Sequence, residues 1–478
     1  MIQFGTGGWR AVIGEDFICS NIRKVAAAVA LYLKETNKDD RSVIIGYDHR
    51  FLADAAARWA AEVLCRAGLH VLFMKRSVPT PLIMHTVKTR GLHCGLEMTA
   101  SHNPSNYNGI KVIVDEGRDA PLEVTERIEA IIAGLPEEID FVPFDTACAD
   151  GLVEFLRNPF NPFLDDILAQ MDVEKIRERG PRILFDPMYG SGAYALLCIL
   201  YTARCTVDTI HMGRDAYFGG SMPAPTRSTL KELKGRVVSG GYDLGIAMDG
   251  DGDRLGVIDS NGRYITSNEI LVMLYYYLHE YRGWKGPVVR NMSTTHMLDR
   301  VAEDLGETCY EVPVGFKWIS SKIDEVDAVL GGESSGGLTV RGHIHGKDST
   351  YAAALFVEMI SAMNQSPTEI IEALEAKYGR YVMVEDNIVF DPADKERIRE
   401  IVFAEKRIPV FDREIARVGY EDGCKVYFKD GGFVTCRFSG TEPLLRIFSE
   451  ADDGERAQAC IDAFRQMLGL RDDQNNVT

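Results

Sequence analysis

Three aspartates, Asp249, Asp251 and Asp253, stand at alternate positions in the run MDGDGDRLG. The apolar residues GIAM before it read as a strand. Alternate residues of an extended chain point the same way, so the three carboxylates can converge on one cation. Oxygen-only ligands favour a hard ion, Mg²⁺ before Ca²⁺. The glycines between them permit a tight backbone. A calcium loop of the EF-hand kind is excluded, because its sixth position would be Arg254 instead of Gly and its twelfth Ser260 instead of Glu. A solvated acidic turn has the same composition and stays open at this point.

Three further strings carry chemistry. TASHNPSNYNGIK (99–111) places Ser101 just past a strand-like stretch, where α/β proteins carry functional loops. His102 and Lys111 are candidates there for proton handling or charge. The same string also reads as a plain turn, and it lacks the Gly-x-Ser-x-Gly elbow of a serine hydrolase. GGESSGG (331–337) sets Glu333 and Ser335 two apart, able to face one polar ligand such as a sugar's hydroxyls; a flexible glycine turn is the alternative. In RFSGTEPLLR (437–446), Ser439, the Gly440 backbone and Thr441 form a donor-rich turn between Arg437 and Arg446. Hydroxyl and backbone donors with guanidinium forks make a phosphate site, although a capped helix start looks similar. Arg10, after the glycine loop FGTGGWR, and Lys317, in GFKWIS, are weaker candidates.

The elements that must position these residues alternate. Ser20 is expected to cap a helix with Ile22, Val25, Ala26, Val29 and Leu33 on one face. SVIIGYD (42–48) reads as a buried strand, ADAAARWAAEVLCRAG (53–68) as a helix and HVLFMK (70–75) as the next strand. This rhythm predicts α/β layers with a largely parallel sheet. It recurs twice, without a residue-level repeat. The last hundred residues differ: VMVEDNIVF, an acidic helix from Asp391, a hairpin turning at Asp430-Gly431-Gly432 and a helix from Glu455 predict an α+β unit.

The whole composition is that of a globular protein. At ~150 residues per domain, 478 residues suggest about three domains. Lys and Arg number 53 against 71 Asp and Glu, a net charge of −18, which argues against nucleic acid or an anionic bilayer as a partner. Apolar runs reach nine residues, as in Val25 to Leu33, short of the ~20 that a membrane span needs. The start, MIQFGTGGWR, lacks a basic leader before an apolar stretch, so no secretory signal is expected. Ten scattered cysteines without a CxxC pair fit buried, reduced thiols in a cytoplasmic protein.

Taken together and in this order, the strings resemble the α-D-phosphohexomutase superfamily, the phosphoglucomutases and phosphomannomutases, over nearly the whole chain. The resemblance implies three related mixed α/β domains plus a smaller α+β C-terminal domain around a central cleft. Here these would be 1–149, 150–259, 260–380 and 381–478, with a hinge near 378–385. It implies that Ser101 is a phosphoserine exchanging its phosphoryl group with a hexose phosphate through a 1,6-bisphosphate, glucose being favoured and mannose a second sugar. Ser101, Asp249, Asp251 and Asp253 would hold Mg²⁺, with Arg254 beside the transferring phosphate. Glu333 and Ser335 would hold sugar hydroxyls. Arg437, Ser439, Gly440, Thr441 and Arg446 would grip the phosphate that does not react. Lys111 and Lys317 would carry protons or charge, with Arg10 and His102 close to the phosphoserine. A hexose 1,6-bisphosphate would serve as activator. Phosphoglucosamine mutase, glucose 1,6-bisphosphate synthase and an inactive sugar-phosphate-binding protein are the alternatives. One departure stands out: some relatives carry His where this chain has Gly337, which leaves Lys317 expected in that role.

Overall fold

The computed structural model describes residues 2–5, 8–438 and 444–470. It divides into two compact units, Met1–Ile270 with Leu330–Thr368, and Leu271–Val329 with Glu369–Thr478.

The first unit holds two mixed sheets. In the larger, strands Val43–Tyr47, Val71–Phe73, Cys94–Met98 and Val153–Phe155 run parallel, as the alternation predicts. Strand Tyr107–Val114 then pairs antiparallel with Cys94–Met98, which brings Glu97 opposite Lys111. Every residue of Val43–Tyr47 and Cys94–Met98 is buried, the mark of strands covered on both faces. Helix Cys19–Glu35 buries Ile22, Val25, Ala26, Val29 and Leu33. Ser20 does not cap it: the Ile18 carbonyl already accepts from the Ile22 amide (3.0 Å), so the first turn closes ahead of Ser20. In the second sheet Thr206–Thr209, Arg182–Asp186 and Leu244–Met248 are parallel, and Leu255–Asp259 returns antiparallel. The reversal between Met248 and Leu255 is the loop that carries the three aspartates. The hairpin Leu330–Gly332/Leu338–Val340 and helix Ser349–Met363 belong to the same unit.

The second unit contains a parallel pair, Val288–Asn291 and Cys309–Val312, with helices Met297–Asp304 and Phe316–Val326. Its five-stranded antiparallel sheet runs in the order Val382–Val389, Leu444–Ala451, Phe433–Phe438, Cys424–Phe428, Ile415–Gly419. Helix Gly454–Leu468 packs on it through Cys460, Ile461 and Phe464. The hairpin turns at Asp430 to Gly432 as expected, whereas the helix expected from Asp391 starts at Lys395. A buried ionic cluster ties these elements. Arg290 forks onto Asp299 (2.8 and 2.9 Å) and reaches Glu311 (2.5 Å). Lys425, wholly buried, donates to Glu311 (2.6 Å), the Met292 carbonyl (2.6 Å) and His296 (3.0 Å).

Among the described residues no helix is long and apolar enough to cross a membrane. All ten cysteines are free, six of them buried.

Candidate active site

Strand Cys94–Met98 ends at Thr99, and the chain turns sharply at Ser101. Ser101 is fully buried with φ of 52°, a left-handed conformation that costs a residue with a side chain on the order of 1 kcal/mol. The turn is held by Arg50. Its guanidinium donates to the carbonyls of Ser101 (2.7 Å), Asn103 (2.6 Å), Pro104 (2.7 Å) and Tyr107 (3.0 Å), four acceptors that would otherwise lose water without replacement. Asp48 receives the Thr99 hydroxyl (2.6 Å), whose oxygen accepts from the Ser101 amide (2.8 Å). Asp48 and Arg50 were not singled out from the sequence, although YDHR follows a buried strand directly.

The second sheet brings the aspartates to this turn. A Cβ at Gly250 would stand 2.7 Å from the Ser101 carbonyl oxygen, so glycine is what allows the two loops to meet. The Ser101 hydroxyl donates to Asp249 Oδ2 (3.0 Å). Asp249 Oδ1 accepts from the amides of Asp253 (2.9 Å) and Arg254 (3.0 Å), which closes the loop on itself. Asp251 Oδ2 accepts from Thr80 (2.7 Å) and Lys111 (2.7 Å); Asp253 Oδ2 accepts from Lys111 (2.7 Å) and lies 3.0 Å from Lys347 Nζ. All three aspartates are buried, and one oxygen from each lies within 4.8 Å of the others. The remaining oxygens, Asp251 Oδ1 and Asp253 Oδ1, have no hydrogen-bond partner among the described residues. Buried carboxylate oxygens without a hydrogen bond are costly unless a cation compensates them, and the nearest cationic group to Asp253 Oδ1 is Arg254 Nε at 3.9 Å. The solvated-turn alternative fails on this burial.

The electrostatics follow. Burial, with Asp253 and Asp251 beside it, pushes the Asp249 carboxyl well above the ordinary range. Burial would do the same to Asp253, but Lys111, Lys347 and Arg254 hold it well below. Burial lowers the His102 imidazole far below its usual value, and the Arg254 and Arg10 charges add to this, so His102 is neutral. Its Nδ1 lies 3.4 Å from Ser101 Oγ. Arg10 reaches the same turn through Asn103 Oδ1 (2.8 Å).

The loop 331–337 joins this group. The Leu255 amide donates to the Gly336 carbonyl (3.1 Å), and Ser335 Oγ donates to Glu333 Oε2 (3.2 Å). A Cβ at Gly337 would stand 2.1 Å from Lys347 Cδ: the missing histidine's place is crossed by the Lys347 stem, whose ammonium sits at Asp253. Sequence reading missed Lys347, because only the hairpin and its return through HGKD bring it back to Gly337. Lys317 opens helix Phe316–Val326 in the second unit, 5.3 Å from the Trp318 ring. Arg437 and Arg446 face each other across paired strands of that unit, and Arg437 lies 3.5 Å from Asp422. Ser439, Gly440 and Thr441 between them lie outside the described residues.

Comparison with known proteins defines the class. Models of phosphoglucomutase/phosphomannomutase alpha/beta/alpha domains I, II and III match residues 1–138, 161–262 and 266–378, and the model of the C-terminal domain matches 391–467. The chain therefore belongs to the phosphoglucomutase/phosphomannomutase family of the α-D-phosphohexomutase superfamily, with its four-domain architecture, and is a phosphomutase. It is 28% identical to a phosphoglucomutase/phosphomannomutase of Thermococcus kodakarensis, over 97% of this chain and 98% of that one. It is 27% identical to a phosphoglucosamine/phosphogalactosamine mutase of Sulfurisphaera tokodaii, with the same coverage. The crystal structure of a putative phosphomannomutase from Thermus thermophilus superposes with a TM-score of 0.85 at 29% identity, covering 98% of this chain and 99% of that one.

Proposed function

We propose that the protein interconverts hexose 1-phosphates and 6-phosphates, glucose phosphates first, through a phosphoserine at Ser101. The observation that carries this reading is the buried Ser101 hydroxyl on Asp249, beside two carboxylate oxygens without partners. In the forward half-reaction, the bond between phosphorus and Ser101 Oγ breaks while a bond from phosphorus to a sugar hydroxyl oxygen forms. The hydroxyl proton passes to a neighbouring base and Ser101 Oγ regains one. The bisphosphate turns end for end and returns its other phosphoryl group to Ser101. Such transfer needs positioning and charge stabilisation more than covalent help.

The donor set fits magnesium: Asp249, Asp251, Asp253 and Ser101 Oγ would hold it. When bound, it supplies positive charge where phosphoryl oxygens gain negative charge. Arg254 and Arg10 would neutralise the same oxygens, and His102, held neutral, would stand beside Ser101 Oγ as a hydrogen-bonding partner. Lys111 and Lys347 carry charge to the aspartates; we assign to Lys347 the place expected for Lys317, which keeps an electrostatic role. Glu333 and Ser335 orient sugar hydroxyls. Arg437, Arg446, Ser439, Gly440 and Thr441 would hold the distant phosphate, whose binding energy is then used at the reacting end. The domains would be 1–149, 150–259, 260–380 and 381–478.

A glucosamine phosphate is the second reading, favoured by the relatives that act on amino sugars by name. Coupled assays with glucose, mannose and glucosamine 1-phosphates, Mg²⁺ and a hexose 1,6-bisphosphate activator decide between them. Glucose 1-phosphate should give the highest kcat/KM. Absence of turnover on all three would overturn the proposal.

A further inference from the structure

The second unit carries a cavity of about 430 Å³ that the proposed reaction does not use. It is lined by helix Met297–Asp304 through Arg300, by residues 377–381, by the 430–432 turn and by the start of helix Gly454–Leu468. Five cations line it against two carboxylates, Asp430 and Asp452, in a chain whose net charge is −18.

Both carboxylates are already neutralised. Asp430 takes the Arg413 fork (2.9 and 2.5 Å), and Asp452 takes Arg456 (2.6 and 2.7 Å). Lys377 is held by Asp304 (2.6 Å), outside the lining. Two guanidiniums remain. Among the described residues Arg300 contacts Glu303 at 3.4 Å and the Tyr381 hydroxyl. Arg380 is exposed and has neither a hydrogen bond nor an ion pair among the described residues. Guanidinium forks pair with phosphoryl oxygens in two-point fashion, and a concave, locally cationic wall draws anions from solution.

We propose that this cavity binds a compact phosphorylated ligand of diphosphate size or larger, gripped by Arg300 and Arg380. A volume of about 430 Å³ lies in the range of small-molecule sites and exceeds what a lone phosphate fills. The site spans residues matched by the third and fourth domain models and the segment 379–390 between them.

Calorimetric titration of the full chain with inorganic pyrophosphate, without divalent metal, tests this independently of mutase activity. Three proteins are compared: wild type, Arg300→Ala/Arg380→Ala and Arg437→Ala/Arg446→Ala. Both arginines of the first pair are surface residues, and circular dichroism with a melting curve verifies folding. The Arg300/Arg380 variant should bind one equivalent fewer than wild type, or bind that equivalent at least tenfold more weakly, while the Arg437/Arg446 variant retains it. Unchanged stoichiometry and affinity in the Arg300/Arg380 variant, or loss of all binding in the Arg437/Arg446 variant, would overturn the proposal.

Discussion

Each unit buries a knot of charge, and the two knots are finished differently. Around Glu311 the charges are satisfied within the protein: Arg290 and Lys425 both contact it, Tyr427 donates to it, and Arg290 also forks onto Asp299. Glu311 is consequently held well below the usual carboxylate range despite its burial, and His296, buried between Arg290 and Lys425, is pulled down to about 4. Around Asp251 and Asp253, Lys111 donates to one oxygen of each and Lys347 joins it at Asp253, while the other two oxygens have no hydrogen-bond partner among the described residues, Asp253 Oδ1 lying 3.9 Å from Arg254 Nε. A closed ionic knot is a clasp. The donor set of the open one suits a cation, and the difference lies in the oxygens without hydrogen bonds rather than in the number of charges.

The comparison breaks first at Ser101. Ser101→Ala should lower mutase turnover about a thousandfold or more, measured by kcat at saturating substrate, with sugar-phosphate affinity retained. Wild-type rates would remove Ser101 from the chemistry. The second test sets the knots against each other. Lys111→Met leaves Asp251 with Thr80 and without an ion-pair partner, and Asp253 with Lys347 and Arg254; Lys425→Met leaves Glu311 one partner short. Each should cost on the order of 3 kcal/mol in urea unfolding. Mg²⁺ should restore the Lys111 variant by binding the native state, and leave the Lys425 variant unchanged. Equal rescue of both would erase the distinction.

The sequence read the open knot better than the closed one, for a physical reason. Asp249, Asp251 and Asp253 are spaced by the period of a strand end, and Ser101 follows another strand, so their convergence needs only the α/β rule that loops meet at strand ends. Lys347 acts through a chain return with no local period, and Asp48 and Arg50, although they directly follow the buried strand Val43–Tyr47, carry no spacing that marks them. The closed knot joins Arg290 and Glu311, 21 positions apart, to Lys425, 114 positions beyond Glu311. As isolated letters these look like surface charge. The strands and helices were legible because burial on both faces leaves continuous apolar runs. Ser20 misled because an N-cap depends on which carbonyl closes the first turn, and Ile18 closes it.

Two smaller effects sharpen the contrast. Glu450, fully buried, accepts from the His296 amide (2.9 Å), and burial raises its carboxyl to about 7. A raised folded value means that its contribution is full below the unfolded value near 4.5 and is lost as pH rises through about 7. Glu450→Gln should therefore gain stability over wild type across that interval, on the order of 3 kcal/mol, in chemical unfolding at pH 5 and pH 8. A constant difference would refute the assignment. Glu97 is buried with both carboxylate oxygens unpartnered, and burial holds it well above its ordinary range. Glu97→Met should stabilise by about 1 kcal/mol, seen as a higher melting temperature.

The central claim is that one hydroxyl, Ser101, carries the phosphoryl group. Intact mass and peptide mapping after incubation with glucose 1,6-bisphosphate and Mg²⁺ read it directly. A gain of one phosphoryl group on the peptide containing Ser101, absent from Ser101→Ala, is the expected result. Failure to load, or a phosphoryl group on any other residue, would contradict the account.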